Sequence, residues 1–442
     1  MKKTIAILLS VSCLFGLNSC FKTEDDIFSE SAAQRLDTLE STYRELLSSS
    51  ENGWVLQYFA SESEQGYPFV MQFDKTGSVT IAGNNSESTS GSYKEETSTY
   101  DFVQDMSVVL TFDTYNTIFH EFSQPSTDGV GHGGDYEFQI KGVSADQDTI
   151  YLVGKKTAIE MRMVRFPMGA TYTDTKGVQK TVESWSGYFT AIKEATSALF
   201  NTKLPTYTLN GPVQNYEVSG MGSGVMNFVP EGLTETEASS RTYTRGIIVN
   251  LDNSIRLSSP FTGEENEFKF QTMKLSADGS KMEAVDGTKD VTLSLPVLGK
   301  LFVGNSLTWS LSKANCQGQF ATLVQNLADG LLKYSKKAKF TSLIFGYDTK
   351  QACHYLSIKT SGFTGKLYGE FTTVDDTTVK FTFNGNGDNN GKAFLQNVAA
   401  VQPLLDFLQS TNFNLSATSS FAPTTMSLTS AANSADTALL SL

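Results

Sequence analysis

Apolar positions follow two periods along this chain. Leu36, Leu39, Tyr43, Leu46 and Leu47 stand three and four residues apart, which builds one apolar face on a helix. Ser31 and Gln34 have the spacing of a capping box at its start, and Asn52-Gly53 supplies a stop. The same period returns at Phe189, Ile192, Ala195, Leu199 and Phe200, and again at Phe320, Leu323, Val324, Leu327 and Leu331. A fourth helix is predicted from Lys392 through Phe394, Leu395, Val398 and Val401, with Pro403 breaking or restarting it.

Between these helices the period falls to two. Trp54 to Phe59, Phe69 to Phe73, Val108 to Phe112, Glu137 to Ile140 and Ile150 to Val153 read as strands. Turn signals such as Asp74-Lys75-Thr76-Gly77 and Ala277-Asp278-Gly279 lie between strands. Helices are too scarce to cross between successive strands, so parallel βαβ units are excluded. The fold class is mainly β with a few helices (α+β). Its antiparallel meander sheets form sandwich or partial-barrel units, each preceded by a covering helix.

Two stretches look alike. Leu110-Thr111-Phe112-Asp113, Ile118, Pro125, Glu137-Phe138, Ser144-Ala145-Asp146 and Phe166-Pro167 recur in order as Val249-Asn250-Leu251-Asp252, Ile255, Pro260, Glu267-Phe268, Ser276-Ala277-Asp278 and Leu295-Pro296. An internal repeat and shared strand-and-turn grammar both account for this. The organisation is then a signal peptide over 1–19 and a lipidated acidic tether over 20–30. A helix plus β domain follows over 31–170, a second such unit over 171–300, and a C-terminal one over 301–442.

The first segment sets the address. Met1-Lys2-Lys3 precedes an apolar run from Ile5 to Leu17, too short to span a bilayer and of the length of a signal peptide. It ends at Leu17-Asn18-Ser19-Cys20, which resembles a bacterial lipobox and makes Cys20 the lipidated residue. Asn18 departs from the usual small or aliphatic residue. The acidic cluster Glu24-Asp25-Asp26 resembles the signal by which Bacteroidetes send lipoproteins to the outer face of the outer membrane; a plain solvated tether is the alternative.

Charge narrows the partners. The 34 basic residues lose Lys2 and Lys3 with the signal, leaving 32 against 47 acidic ones, a balance of −15. Phosphate backbones repel such a chain, so nucleic acid is excluded as a partner. Thirty Phe and 17 Tyr supply large cores. Cys316 and Cys353 are the two cysteines beyond the lipobox, and their pairing is left open.

Candidate chemistry is sparse. His120, Glu121, Asp128, His132 and Asp135 gather imidazoles and carboxylates able to hold a divalent metal, although their spacing matches no compact zinc motif. The bland alternative is a polar hairpin loop. Asn386, Asp388 and Asn390 place oxygens at alternate positions as the first half of a calcium loop does, but the twelfth position is Asn397 rather than Glu. Trp54, Trp185 and Trp309 are candidates for stacking on sugar rings or for the core. No serine stands in a GxSxG elbow.

Several segments resemble one family. They are Glu30-Ser31-Ala32-Ala33-Gln34-Arg35-Leu36, Tyr43-Arg44-Glu45-Leu46-Leu47, Asn52-Gly53-Trp54, Gly66-Tyr67-Pro68-Phe69, Leu110 to Asn116, and Gly134-Asp135-Tyr136-Glu137-Phe138. Together they are similar to the uncharacterised Bacteroidetes lipoproteins of domain of unknown function 4302. The resemblance implies a surface lipoprotein encoded near SusC/SusD-like uptake proteins, and it carries no known activity or catalytic residue. Three function classes follow: an accessory module that captures glycan or peptide, a secreted hydrolase with or without a metal, and a structural part of a surface assembly. The first is the expectation here.

Overall fold

The structure, a computed structural model, describes residues 31–105, 107–125, 131–200, 204–288, 290–417 and 421–442. The signal peptide, Cys20, the acidic tether and Asp128 lie outside these residues.

Helix α1 (Ala32–Ser48) begins at the expected capping box: Ser31 accepts from the Gln34 amide, and the Gln34 side chain reaches back to the Ser31 amide. Gly53, at φ +85, turns the chain into β1 (Trp54–Tyr58). The strands β2 (Tyr67–Phe73), β3 (Ser78–Gly83), β4 (Lys94–Thr99), β5 (Asp101–Gln104), β6 (Val108–Thr111), β7 (Glu137–Val143), β8 (Thr149–Gly154) and β9 (Glu160–Arg165) complete one antiparallel sheet. Its order is β4-β3-β2-β1-β9-β8-β7-β6-β5. The two edge strands are separated in sequence by Tyr100 alone, so the sheet has to curl until its edges meet, and the Tyr100 amide bonds to the Gly77 carbonyl there (2.9 Å).

Trp54, Leu56, Tyr58, Phe69, Met71 and Phe138 fill the inside of this half-barrel, and Leu46 and Leu47 of α1 join them. Trp54 Nε1 donates to the Leu47 carbonyl at 2.9 Å, locking helix to strand. The outer face is buried as well. Val55, Val70 and Ala82 pack under Tyr188, Phe189 and Ala191 of helix α2 (Trp185–Leu199), which follows the hairpin of β10 (Thr171–Thr173) and β11 (Gln179–Thr181). Deleting a side chain as buried as Leu47 costs about 2–5 kcal/mol.

Two closed meander barrels come next. The first comprises β12 (Thr206–Asn210), β13 (Asn215–Ser219), β14 (Val225–Pro230), β15 (Tyr243–Val249), β16 (Ser254–Thr262), β17 (Lys269–Leu275), β18 (Met282–Ala284) and β19 (Thr292–Ser294), closed by pairing Leu209 with Leu293. The second comprises β20 (Trp309–Leu311), β21 (Phe340–Asp348), β22 (Cys353–Thr360), β23 (Thr364–Thr373), β24 (Thr378–Gly387), β25 (Asn412–Ala417), β26 (Thr425–Ser430) and β27 (Thr437–Ser441), closed at Ser310 and Ser441. Helix α3 (Gly318–Tyr334) enters after β20, so one strand precedes it. Helices α4 (Asn389–Asn397) and α5 (Val401–Ser410) separate β24 from β25. The restart falls at 398–400. Pro403 then sits in the first turn of α5, where a missing N–H costs nothing.

An eight-stranded barrel can be filled by side chains or hold one small ligand. Tyr216, Phe228, Phe261 and Phe270 fill the first barrel, with Phe228 and Phe261 stacked at 3.9 Å. One apolar cluster runs through both barrels, and Phe421 stacks on Tyr207 of β12 at 4.5 Å. Ligand sites must therefore lie on surfaces and at the joints between units.

The sheet unit thus recurs along the chain, and the two look-alike stretches coincide at a turn and at strand ends. Ser144 bonds to Asp146 (2.5 Å) between β7 and β8, and Ser276 to Asp278 (2.7 Å) between β17 and β18. Leu110 and Val249 stand in the last residues of β6 and β15, and Phe166 and Leu295 directly follow β9 and β19, whereas Ile118 lies in a turn and Ile255 in β16.

Candidate functional site

The structure disperses the four described residues of the His-rich loop, His120, Glu121, His132 and Asp135. His120 begins a short 3-10 turn and is buried. Its Nδ1 accepts from the Asn116 amide (3.0 Å), and its Nε2 donates to the Phe112 carbonyl (2.9 Å). Both ring nitrogens are committed to backbone, which leaves no lone pair for a metal. Asp135 is also buried: it accepts from the amides of Lys156 (2.6 Å) and Thr157 (3.0 Å) and pins the loop between β8 and β9. Glu121 accepts from Gln124 Nε2 at 3.0 Å. Among the described residues no three His, Cys, Asp or Glu side chains converge on a metal-sized point.

His132 has a different partner. Its Nδ1–H donates to Glu64 Oε2 at 2.6 Å, its ring stacks on Phe122 (5.2 Å between centroids), and its Nε2 faces Glu87 Oε2 at 3.7 Å. A cleft of about 640 Å³ opens beside it, lined by Ser61, Glu62, His132, Lys156, Glu160 and Ser259. A carboxylate-oriented imidazole of this kind can move a proton. Sequence offers no signal for Glu64, 68 residues away, because pairing across that distance is set by the fold.

The surface above His120 carries the other feature. Tyr115 and Tyr136 are exposed (57% and 43%), and each packs on the buried imidazole, with ring centroids 5.3 and 5.6 Å from it. Gln124 Nε2 donates both to Tyr115 Oη (3.3 Å) and to Glu121, which joins carboxylate, carboxamide and phenol into one polar edge. The result is an aromatic ledge on a fixed base. His120 is thus its support rather than a ligand. The two tyrosines border the loop in sequence, in the segments Asp113 to Asn116 and Gly134 to Tyr136, and this closeness was the available signal.

The other candidates have structural employment. Asp388 caps α4 by accepting from the Gly391 amide (2.7 Å), Asn386 accepts from the Gly387 amide (2.9 Å), and Asn390 donates to the Thr364 carbonyl (2.9 Å). These oxygens and amides build a turn and a helix start. Cys316 and Cys353 are free and buried. Burial pushes the Cys316 thiol up to about 11 and raises that of Cys353. Trp54 and Trp309 are core residues, the latter stacked on Phe302, and half-buried Trp185 donates to the Asn52 carbonyl (2.9 Å).

Among the described residues no helix is long and apolar enough to cross a membrane. No curated protein matches the chain. Among solved structures it aligns with the beta subunit from DNA polymerase of Streptococcus pyogenes at 9% identity, over 91% of this chain and 97% of that one, with a TM-score of 0.12. A DNA polymerase sliding clamp from Pseudomonas aeruginosa aligns at 10% identity, over 92% and 97%, with a TM-score of 0.11. DNA polymerase III subunit beta from Borrelia burgdorferi does so at 11%, over 92% and 96%, also at 0.11. Scores this low carry no fold assignment.

A family profile matches residues 24–277, ending in the turn after β17, so that β18 and β19, which close the first barrel, fall beyond it. That span is more than half of the chain, and the protein belongs to the family described as Domain of unknown function (DUF4302).

Proposed function

We propose that this protein is a Bacteroidetes-type lipoprotein, anchored in the outer membrane through Cys20 and facing the exterior, that captures glycan or peptide as an accessory to SusC/SusD-like uptake proteins. The observation that carries the reading is the ledge of Tyr115 and Tyr136. Two exposed phenol rings are held in place by a buried imidazole, beside hydrogen-bonding groups, on an otherwise well-packed β scaffold. Large exposed rings backed by rigid structure supply contact area at low entropic cost. Lipidation at Cys20 keeps that surface at the membrane.

The test has two arms. Protease shaving of intact cells should remove the protein while a periplasmic control survives; protection of both would refute the outward orientation. Purified mature protein should then bind at least one class of surface polymer, and failure across broad glycan and peptide panels would refute capture.

A second reading, a hydrolase, draws on the Glu64–His132 pair at its cleft. It requires turnover that disappears in His132→Ala and survives in Tyr115→Ala; turnover indifferent to His132 would eliminate it.

A further inference from the structure

We infer that the ligand of the Tyr115–Tyr136 ledge is a neutral glycan chain; this rests on the capture reading and gives it a substrate class. The first argument is arrangement. Each tyrosine packs on His120, and among the described ring contacts the two do not touch one another, so two separate exposed rings share one buried support. Separate rings on one base suit consecutive sugar rings, whose C–H faces lie flat on aromatic faces. A cationic side chain asks instead for rings converging on one point.

The second argument is hydrogen-bonding character. Glu121 uses Oε2 to accept from Gln124, and the Gln124 amide nitrogen is shared between Glu121 and Tyr115. Each side chain keeps an Oε1 acceptor, the complement of sugar hydroxyl donors. The base cannot swing away to accommodate a different shape, because backbone holds both nitrogens of His120.

The third argument is charge. Glu96 lies beside the ledge loop, accepting from the Thr117 amide at 2.9 Å, and Glu121 stands at the ledge itself. Of the cations near Tyr136, Lys155 sits between Asp105 and Glu137 at 3.6 Å each, and Lys156 gives its Nζ to the Gly133 carbonyl at 2.9 Å. A uronic-acid or sulfated chain would meet uncompensated carboxylates there, in a protein whose formal net charge is −13.

Affinity electrophoresis of the full mature chain through gels loaded with one polymer at a time tests this. The probes are neutral glucan, mannan and xylan, acidic polygalacturonate and heparin, and cationic polylysine. At least one neutral polysaccharide should retard the protein, and the acidic ones should not. Tyr115→Ala and Tyr136→Ala should each weaken that binding about tenfold, whereas Tyr334→Ala, exposed on α3, should leave it unchanged. Both ledge residues are exposed, so the variants should fold, which circular dichroism checks. Retardation by acidic glycan or polylysine alone would overturn the neutral-glycan assignment while leaving capture intact. Neutral binding that ignores both tyrosines would remove the ledge. No retardation by any polymer would sink capture and ligand class together.

Discussion

Arg256 Nη2 donates to the carbonyl of Glu160 at 3.0 Å, tying β16 of the first barrel to β9 of the curled sheet across 96 residues of chain. The guanidinium is 4% exposed, lies over the Phe59 ring at 5.6 Å, and has no partner for Nη1. Arg162 lies near enough to oppose it and is itself held by Gln57 Oε1 at 2.8 Å. The joint between the two units thus holds a buried cation that no carboxylate among the described residues pairs with. Desolvation, followed by the Arg162 charge, pushes the Arg256 pKa down to about 9. A buried charge without a counter-ion is a net cost to the fold.

Arg256→Met keeps most of the side-chain volume and removes that cost, so it should stabilise the chain by about 1 kcal/mol near neutral pH. The sign with pH follows from linkage. A base whose folded pKa lies below its unfolded value binds fewer protons when folded, so the penalty is fully present below about 9 and fades as pH rises toward the unfolded value. The advantage of Arg256→Met in urea denaturation should therefore shrink between neutral pH and about pH 10.5. A variant less stable than the parent at neutral pH would mean that the Glu160 bond and the Phe59 contact outweigh desolvation.

Gly246 is the tightest point of the same joint. Its amide donates to the Glu62 carbonyl at 2.8 Å, and a Cβ there would lie 1.7 Å from the Glu64 carbonyl oxygen. Neither partner is a flexible side-chain end, so Gly246→Ala must push the 60–66 segment off the barrel. Destabilisation of about 2 kcal/mol or more is expected. Hydrogen exchange should quicken at Gly66 and Gly246 and stay unchanged in β21 to β23, because the second barrel shares none of these bonds.

The two core thiols offer a chemical reading of the packing. Cys316 and Cys353 are buried, and desolvation raises both above the usual thiol range, so little thiolate forms in the native chain. Iodoacetamide near pH 8 should leave both unmodified in the native protein and alkylate both in guanidinium chloride, as peptide mass spectrometry would show. Rapid native labelling of either would mean that its barrel opens locally far more often than the packing implies.

Local signals carried the elements, and long-range pairing carried everything else. The Ser31–Gln34 box and the leucine face of α1 were legible because their partners lie within a few residues. Barrel closure was not, since it pairs Leu209 with Leu293 and Ser310 with Ser441 through strands of ordinary alternating pattern. The histidines were visible, yet their roles depend on their surroundings. Backbone occupies both nitrogens of His120, and Glu64 holds His132 from a loop with no local link to it. Tyr115 and Tyr136 lie in segments that resemble the family; that both stand exposed and pack on one buried imidazole is tertiary information.

The segment from Asn386 to Gly391 separates a helix cap from an ion site by experiment. Asp388 gives its carboxylate to the Gly391 amide at 2.7 Å at the first turn of α4. Its loss in Asp388→Ala should cost about 1 kcal/mol, the usual worth of an N-cap. Asp388→Asn and Asp388→Ser can still accept that bond and should recover most of it. A calcium ligand would behave otherwise: millimolar calcium would raise the melting temperature of the parent, and the neutral Asn and Ser variants would lose that rise. The geometry predicts equal melting temperatures with calcium and with chelator. A calcium-dependent shift abolished by Asp388→Asn would show that the loop rearranges around the ion.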